Sequence, residues 1–184
     1  MKLLLILVPL ALVLGYAGSP TDVSHTPEGT AQFDFMLGEW ESTSHWMEAD
    51  QSLREVKAHH RFSRAFGGQG VVDDNFKRAD GDETYWGTAI RTYDPQADAW
   101  TCRWYDGEQR SWASEFVLRR EGDRIVGEMK GSDQHGAYTD RIQFDPAGED
   151  TVNWTMVRRY AGLPQPMTIG RIDYRRVSSR SEER

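Results

Sequence analysis

Short segments in which apolar and polar residues alternate recur along most of the chain, separated by turn signals rich in Gly, Pro, Asp and Asn. A period of two residues is typical of β-strands that bury one face. The alternation predicts ten strands, at residues 38–48, 56–66, 71–76, 85–93, 99–105, 111–119, 125–130, 138–144, 152–160 and 167–177. A helical period is matched only at Phe33, Met36 and Leu37, which predicts one helical turn before the first strand.

Short turns join the predicted strands, which favours an up-and-down antiparallel order. An open sheet of this size would leave two edges that invite aggregation, and closure into a barrel removes them. Closed barrels of about eight or more strands can leave room for a small ligand. A two-sheet sandwich is the alternative, but sandwiches need longer crossovers than this sequence offers. We therefore predict an all-β protein, a closed antiparallel up-and-down barrel with a short N-terminal helical turn.

The two ends of the chain lack this alternation. Residues 1–17 start with Met1 and Lys2, continue as an apolar run and end in small residues, a pattern typical of a secretory signal peptide. An uncleaved anchor is the alternative, but the run is shorter than the ~20 residues of a spanning helix. Residues 18–32 predict a lead-in, residues 33–177 the barrel domain and residues 178–184 a disordered tail. We expect a periplasmic or secreted protein with no membrane span after cleavage.

Charge and cysteine content narrow the function classes. The net charge of −7 argues against a nucleic-acid partner, because such proteins present a basic face. Cys102 is the only cysteine, so no intramolecular disulfide can form and the core must supply the stability. Trp100, Cys102 and Trp104 share one face of a strand, which predicts that Cys102 is a small buried apolar residue.

Three motifs carry a resemblance to a known family. The segment FDFMLGEW occupies residues 33–40, GVVDDN occupies residues 70–75, and RTYDP at residues 91–95 is followed by a strand that begins with Trp100. Together they resemble DUF1579, a bacterial family of unknown function in the lipocalin-like (calycin) superfamily. The resemblance spans most of residues 33–174. It implies a lipocalin-like barrel and no established activity.

Histidine positions bear on cofactors and metals. Nitrobindin, a related barrel, binds haem through a histidine near its last strands, but residues 167–174 contain none and the last histidine is His135. We therefore expect no haem and no other cofactor. His59 and His60 are adjacent, so on a strand they point to opposite faces and cannot hold one ion together. No metal site is predicted.

Aromatic and charged residues within the strands give the candidate site. The chain contains seven tryptophans and seven tyrosines, and charges inside strands are unusual unless they are paired or face water. An inward carboxylate and Arg91 could hold the polar end of a ligand against aromatic walls. The predicted ligand-binding residues are Trp46, His60, Asn75, Trp86, Arg91, Trp104, Glu115 and Trp154. Core packing and buried salt bridges are the structural alternative.

Two functions follow from this pattern. The first is a binding module that holds a small apolar or aromatic molecule in the barrel. The second is a barrel enzyme of the isomerase or lyase type that uses an inward carboxylate or histidine. No catalytic residue is assigned, because the sequence contains no nucleophile elbow, phosphate-binding loop or metalloprotease motif. A homodimer through a barrel strand, common in related folds, is the alternative to a monomer.

Overall fold

The computed structural model describes residues 28–177, and it confirms all ten predicted strands. A 3-10 helix, Glu28–Met36, comes before them, and a second, Phe66–Gly68, separates β2 from β3. The strands are β1 (Gly38–Met47), β2 (Leu53–Ala65), β3 (Gly70–Ala79), β4 (Asp82–Asp94), β5 (Ala99–Asp106), β6 (Ser111–Glu121), β7 (Arg124–Asp133), β8 (Gly136–Gly148), β9 (Thr151–Tyr160) and β10 (Met167–Arg176). The predicted signal segment, residues 18–27 of the lead-in and the tail 178–184 lie outside the described residues. Within residues 28–177, no helix has the length and apolar character of a membrane span.

The sheet closes on itself. Each strand pairs antiparallel with its neighbours in sequence, and β1 pairs with β10 from Trp40–Arg176 to Trp46–Gly170. The closed up-and-down barrel predicted from the alternation is therefore confirmed, and the sandwich alternative is excluded. Closure gives every strand residue an inner or an outer side, so the alternation of side chains decides what lines the interior.

The 3-10 helix seals one end of the barrel. Phe33 and Met36 from the helix are fully buried against Trp40 and Trp100. The Trp40 indole N–H donates to the carbonyl of Met36 at 2.7 Å. Gly38 between them has a φ of 111°, a conformation that favours glycine and turns the chain from the helix into β1. Gly38 and Trp40 therefore join the helix to the first strand at this end of the barrel.

Arg176, at the end of β10, ties the helix to the barrel. Its guanidinium donates to the carbonyl of Phe35 at 2.8 Å and also to the carbonyl of Leu37. The same group lies 4.1 Å from the centre of the Trp40 ring. A charged donor on carbonyls that end a helix satisfies groups that the helix itself cannot. The first and last strands therefore hold in place the plug, the 3-10 helix Glu28–Met36 that closes this end of the barrel.

Two β-bulges change which tryptophans face inward. Regular alternation predicts Trp86 on the face opposite Arg91, and Trp112 on the same face as Leu118. In the structure the register shifts at Trp86 in β4 and at Ala113 in β6. Each bulge inserts one residue and reverses the alternation beyond it. Trp86 consequently contacts inward rings, whereas Trp112 is half exposed on the outer wall, which corrects its predicted inward face.

Replacing Arg176 tests the plug. Arg176→Met removes the charged donors from two helix carbonyls, and we expect it to lower the free energy of unfolding by about 2–4 kcal/mol. Arg175→Met is the matched control, because Arg175 is the neighbouring residue on β10 and its side chain is exposed. We expect it to change the free energy of unfolding by no more than about 0.5 kcal/mol. Urea unfolding followed by circular dichroism measures both. Equal effects from the two variants would contradict the role of Arg176.

Candidate ligand-binding site inside the barrel

Four tryptophans form a connected chain on the inner wall, towards the end opposite the helix. Trp154 lies 5.5 Å from Trp46, Trp46 lies 6.4 Å from Trp86, and Trp86 lies 6.3 Å from Trp104, measured between ring centroids. The contacts of Trp86 are edge-to-face, the geometry that aromatic quadrupoles favour. Trp154 is buried, while the other three keep some exposure. These four are the tryptophans that the sequence assigned to the site.

Glycines make room for these rings against the wall. A Cβ placed on Gly170 would lie 2.7 Å from the Trp46 ring and 3.1 Å from the Trp154 ring. A Cβ on Gly87 would lie 2.4 Å from the ring of Trp104. Such distances are far shorter than van der Waals contact, so the rings occupy space that any side chain would fill. The tryptophan wall therefore depends on the glycines beside it.

A polar cluster is buried deeper in the barrel. The Oγ of Ser42 lies 2.8 Å from Nε2 of His60, and Nδ1 of His60 lies 3.4 Å from Oδ1 of Asp73. The other carboxylate oxygen of Asp73 accepts from Arg91 at 3.4 Å. Asn75 donates to the backbone carbonyl of Asp73 at 2.8 Å. All five side chains are buried, with exposed fractions of 7% or less.

Arg91 is the least satisfied member of this cluster. Its Nη2 has the single long bond to Asp73, whereas Nε and Nη1 have no hydrogen-bond partner among residues 28–177. Arginine carries five N–H donors and stays charged in proteins, and three of these donors are on Nε and Nη1. Rings of Phe33, Phe62 and Phe144 lie 5.4–5.5 Å from the guanidinium carbon, which supports the charge through cation–π contacts.

Two further groups near Arg91 remain neutral. Burial raises the pKa of the Cys102 thiol, which lies beside Arg91 on the paired strand. Burial likewise raises the pKa of the Tyr174 hydroxyl well above its usual value. Cys102 is 2% exposed, so the prediction that it is a buried apolar residue is confirmed. Asp73 is consequently the anion that Arg91 contacts within the cluster.

A second inward arginine shows what a satisfied pair looks like in this barrel. Arg158 bonds both oxygens of Asp140 at 2.8 Å and one oxygen of Asp133 at 3.0 Å. The bond to Asp140 raises the pKa of Arg158, and the Tyr138 ring stacks 3.5 Å from its guanidinium carbon. Asp140 is fully buried. This bidentate pair fits a structural role, unlike the single contact between Arg91 and Asp73.

One predicted site residue lies elsewhere. Glu115 is on the outer face of β6, where it pairs with Arg103 at 2.8 Å and is 59% exposed. The expectation that Glu115 lines the interior is wrong, because the two bonded residues sit on outward positions of paired strands. His59 is also outside, between Glu39 and Glu83, so the prediction that the two histidines face opposite sides is confirmed.

The sequence missed two members of the polar cluster. Neither Ser42 nor Asp73 is among the predicted site residues. The position of Asp73, two residues before Asn75 on β3, places both on one face and was the available signal. Nothing local marks Ser42, since its contact with His60 depends on the pairing of β1 with β2.

A groove of about 650 Å³ lies on the outer wall across β1, β2, β9 and β10, and it borders the interior cluster at Ser42. Charged side chains line much of it, including Glu41, Lys57, Arg78, Asp173 and Arg175. Arg78 pairs with Glu41 and Glu83. Its ion pairs, Arg78 with Glu41 and Arg171 with Asp173, are partly exposed, so we regard the groove as ordinary solvated surface and keep the interior as the candidate site.

Comparisons with solved structures place the barrel in a wider class. An S-type phycobiliprotein lyase from Guillardia theta superposes with a TM-score of 0.52 at 10% identity, over 80% of this chain and 92% of that one. Rv2717c from M. tuberculosis gives 0.51 at 12% identity, over 83% and 99%. The fold is lipocalin-like.

At these identities the likeness shows the lipocalin-like fold alone. No protein-family model and no curated protein matches the chain. Membership of DUF1579 therefore stays a prediction that rests on the three motifs.

The pairing of Arg91 with Asp73 can be tested by a double-mutant cycle. Asp73→Asn or Arg91→Met alone leaves one charge buried and unpaired, and we expect each to destabilise the protein by about 3–5 kcal/mol. The double variant should lose at least about 1 kcal/mol less than the sum. Urea unfolding measures the cycle. The exposed pair Arg103→Met and Glu115→Gln is the control, with an expected coupling below about 1 kcal/mol. Additive losses at Asp73 and Arg91 would show that the two charges do not interact.

Proposed function

We propose that the barrel binds a small apolar or aromatic molecule at its tryptophan-lined end. The observation that carries the proposal is the chain of Trp46, Trp86, Trp104 and Trp154 on the inner wall. Ligand sites in proteins are concave, and aromatic side chains with a few polar groups line them. The buried cluster around Arg91 supplies the polar groups beneath these rings.

The helix end already provides a closed core. Phe33, Met36, Trp40 and Trp100 are fully buried there, together with Leu118. The rings of Trp46, Trp86 and Trp104 lie towards the other end and keep some exposure. Large aromatic rings that remain partly exposed on a concave inner wall can gain contacts from a guest, which supports a binding role over packing alone.

The resemblance to a barrel named as a phycobiliprotein lyase is consistent with an interior that serves a small molecule. The signal-like residues 1–17 lead us to include export to the periplasm or the outside of the cell in the proposal.

A barrel enzyme is the second candidate, and one observation favours it. Ser42, His60 and Asp73 lie in the order of a hydroxyl, a base and an orienting carboxylate, with contacts of 2.8 and 3.4 Å. Such an order can move a proton to or from a bound molecule. Native mass spectrometry of the protein with its bound compound separates the candidates. Recovery of an unchanged compound, checked by NMR as well as by mass, supports binding, whereas a changed mass or an isomer of the same mass supports catalysis.

A neutral fluorescent probe tests the binding site. N-phenyl-1-naphthylamine brightens when it enters an apolar site, and we expect a saturable rise in its emission with the wild-type protein. Trp104→Leu removes one wall of the site and should weaken binding by about fivefold or more, because stacked aromatic contacts contribute ~0.5–1.5 kcal/mol beyond area burial.

Trp112→Leu is the matched control, since Trp112 lies on the neighbouring strand but half exposed on the outer wall. It should leave the affinity unchanged. Equal weakening by both substitutions, or a probe signal that does not saturate, would contradict binding at the inner wall.

A further inference from the structure

Arg158 and Arg91 both lie on the inner wall of the barrel, and they differ in how their donors are used. Arg158 is bonded to Asp140 and Asp133 by contacts of 2.8–3.0 Å. Arg91 is 4% exposed, has one bond of 3.4 Å, and leaves Nε and Nη1 without acceptors within residues 28–177. Unmade bonds on a buried charged group are costly, so Arg91 is in a state that an added acceptor would stabilise.

The surroundings of Arg91 restrict what that acceptor can be. The three phenylalanine rings that surround its guanidinium offer no lone pairs, and the buried Cys102 thiol is a weak acceptor. Asp73 contacts only Nη2. A carboxylate is the acceptor that matches a guanidinium edge best, and bonds between two charged partners are roughly twice as strong as neutral ones.

Arg91 also lies within reach of the tryptophan wall. On the paired strands Ala89 is opposite Trp104, and Arg91 is opposite Cys102. Arg91 is therefore two residues further along β4, a distance of ~7 Å in a strand. Ala89, at the level of Trp104, presents only a methyl group. A ligand of one or two fused rings with a short acidic side chain has this span.

We propose that Arg91 binds the carboxylate of the guest, so that the ligand class is an aromatic or apolar carboxylic acid. The proposal rests on the proposed function, because the ring of the acid would occupy the tryptophan-lined end. The carboxylate bonds the Nε or Nη1 side of Arg91, and Asp73 keeps the opposite contact through Nη2. Since Asp73 already offsets part of the charge, the gain over a neutral analogue is modest.

A matched pair of compounds tests the charge requirement. 1-Naphthaleneacetic acid and 1-naphthaleneacetamide have the same ring and chain length, but only the acid is anionic at neutral pH. Isothermal titration calorimetry with the wild-type protein at about physiological ionic strength should give a Kd for the acid at least about tenfold lower than for the amide.

Substitutions test whether Arg91 causes the preference for the acid over the amide. Arg91→Met should bring the Kd of the acid to within about twofold of that of the amide. If Arg91→Met does not fold, the double variant with Asp73→Asn serves, since it leaves no unpaired charge behind. Arg103→Gln is the control, because it removes the same charge from the outer face of the neighbouring strand and should keep the preference.

Each remaining outcome overturns the inference in a distinguishable way. Equal affinities of the wild-type protein for acid and amide would contradict an anion site at Arg91 while leaving interior binding intact. A preference for the acid that survives in the Arg91 variants would place the anion elsewhere. Failure of both naphthalene compounds and of the neutral probe to bind would contradict the proposed function together with this inference.

Discussion

The pairing of β1 with β10 is the contact on which the rest of the structure depends. It removes both sheet edges and turns a two-residue alternation into an inside and an outside. It also places Arg176 over Trp40 and beside the carbonyls of the 3-10 helix, so that the strands that close the barrel also hold its plug. Once the interior is closed, any polar side chain on the inner face must find its partners among other inward residues.

The inward polar side chains differ in how completely their hydrogen-bonding groups are paired. Near the end of β9, Arg158 and Asp140 form a bidentate pair, and hydroxyl and ring contacts from Tyr160 and Tyr138 complete it. Nearer the plug, His60, Asp73 and Arg91 are buried more deeply than Arg158, yet they make long contacts and leave several donors unused. The more deeply buried cluster is therefore the one whose charges are less completely paired.

The local sequence was sufficient to predict where the strands lie, but not to predict for every residue whether its side chain faces the interior. Turn signals and alternation located each of the ten strands, since hairpins are short-range structures. The faces of Trp86 and Trp112 could not be derived, because a bulge depends on how one strand registers with the next and has no local signature here. Four tryptophans, His60, Asn75 and Arg91 were chosen for the interior and lie there, whereas Glu115 was misplaced because Arg103, its partner, comes from another strand.

The under-bonded cluster differs from an ordinary structural ion pair. Replacing a buried ion pair by apolar residues of similar volume is often neutral or stabilising, so a pair with one 3.4 Å contact contributes little to the fold. The same pair leaves Nε and Nη1 of Arg91 without an acceptor among residues 28–177, beside the rings of Phe33, Phe62 and Phe144. A preorganised donor in a buried site loses little entropy when an acceptor arrives. Arg91 is therefore better suited to recognising a guest than to stabilising the barrel, and under the proposed function the tryptophans along the wall would determine which guests can reach it.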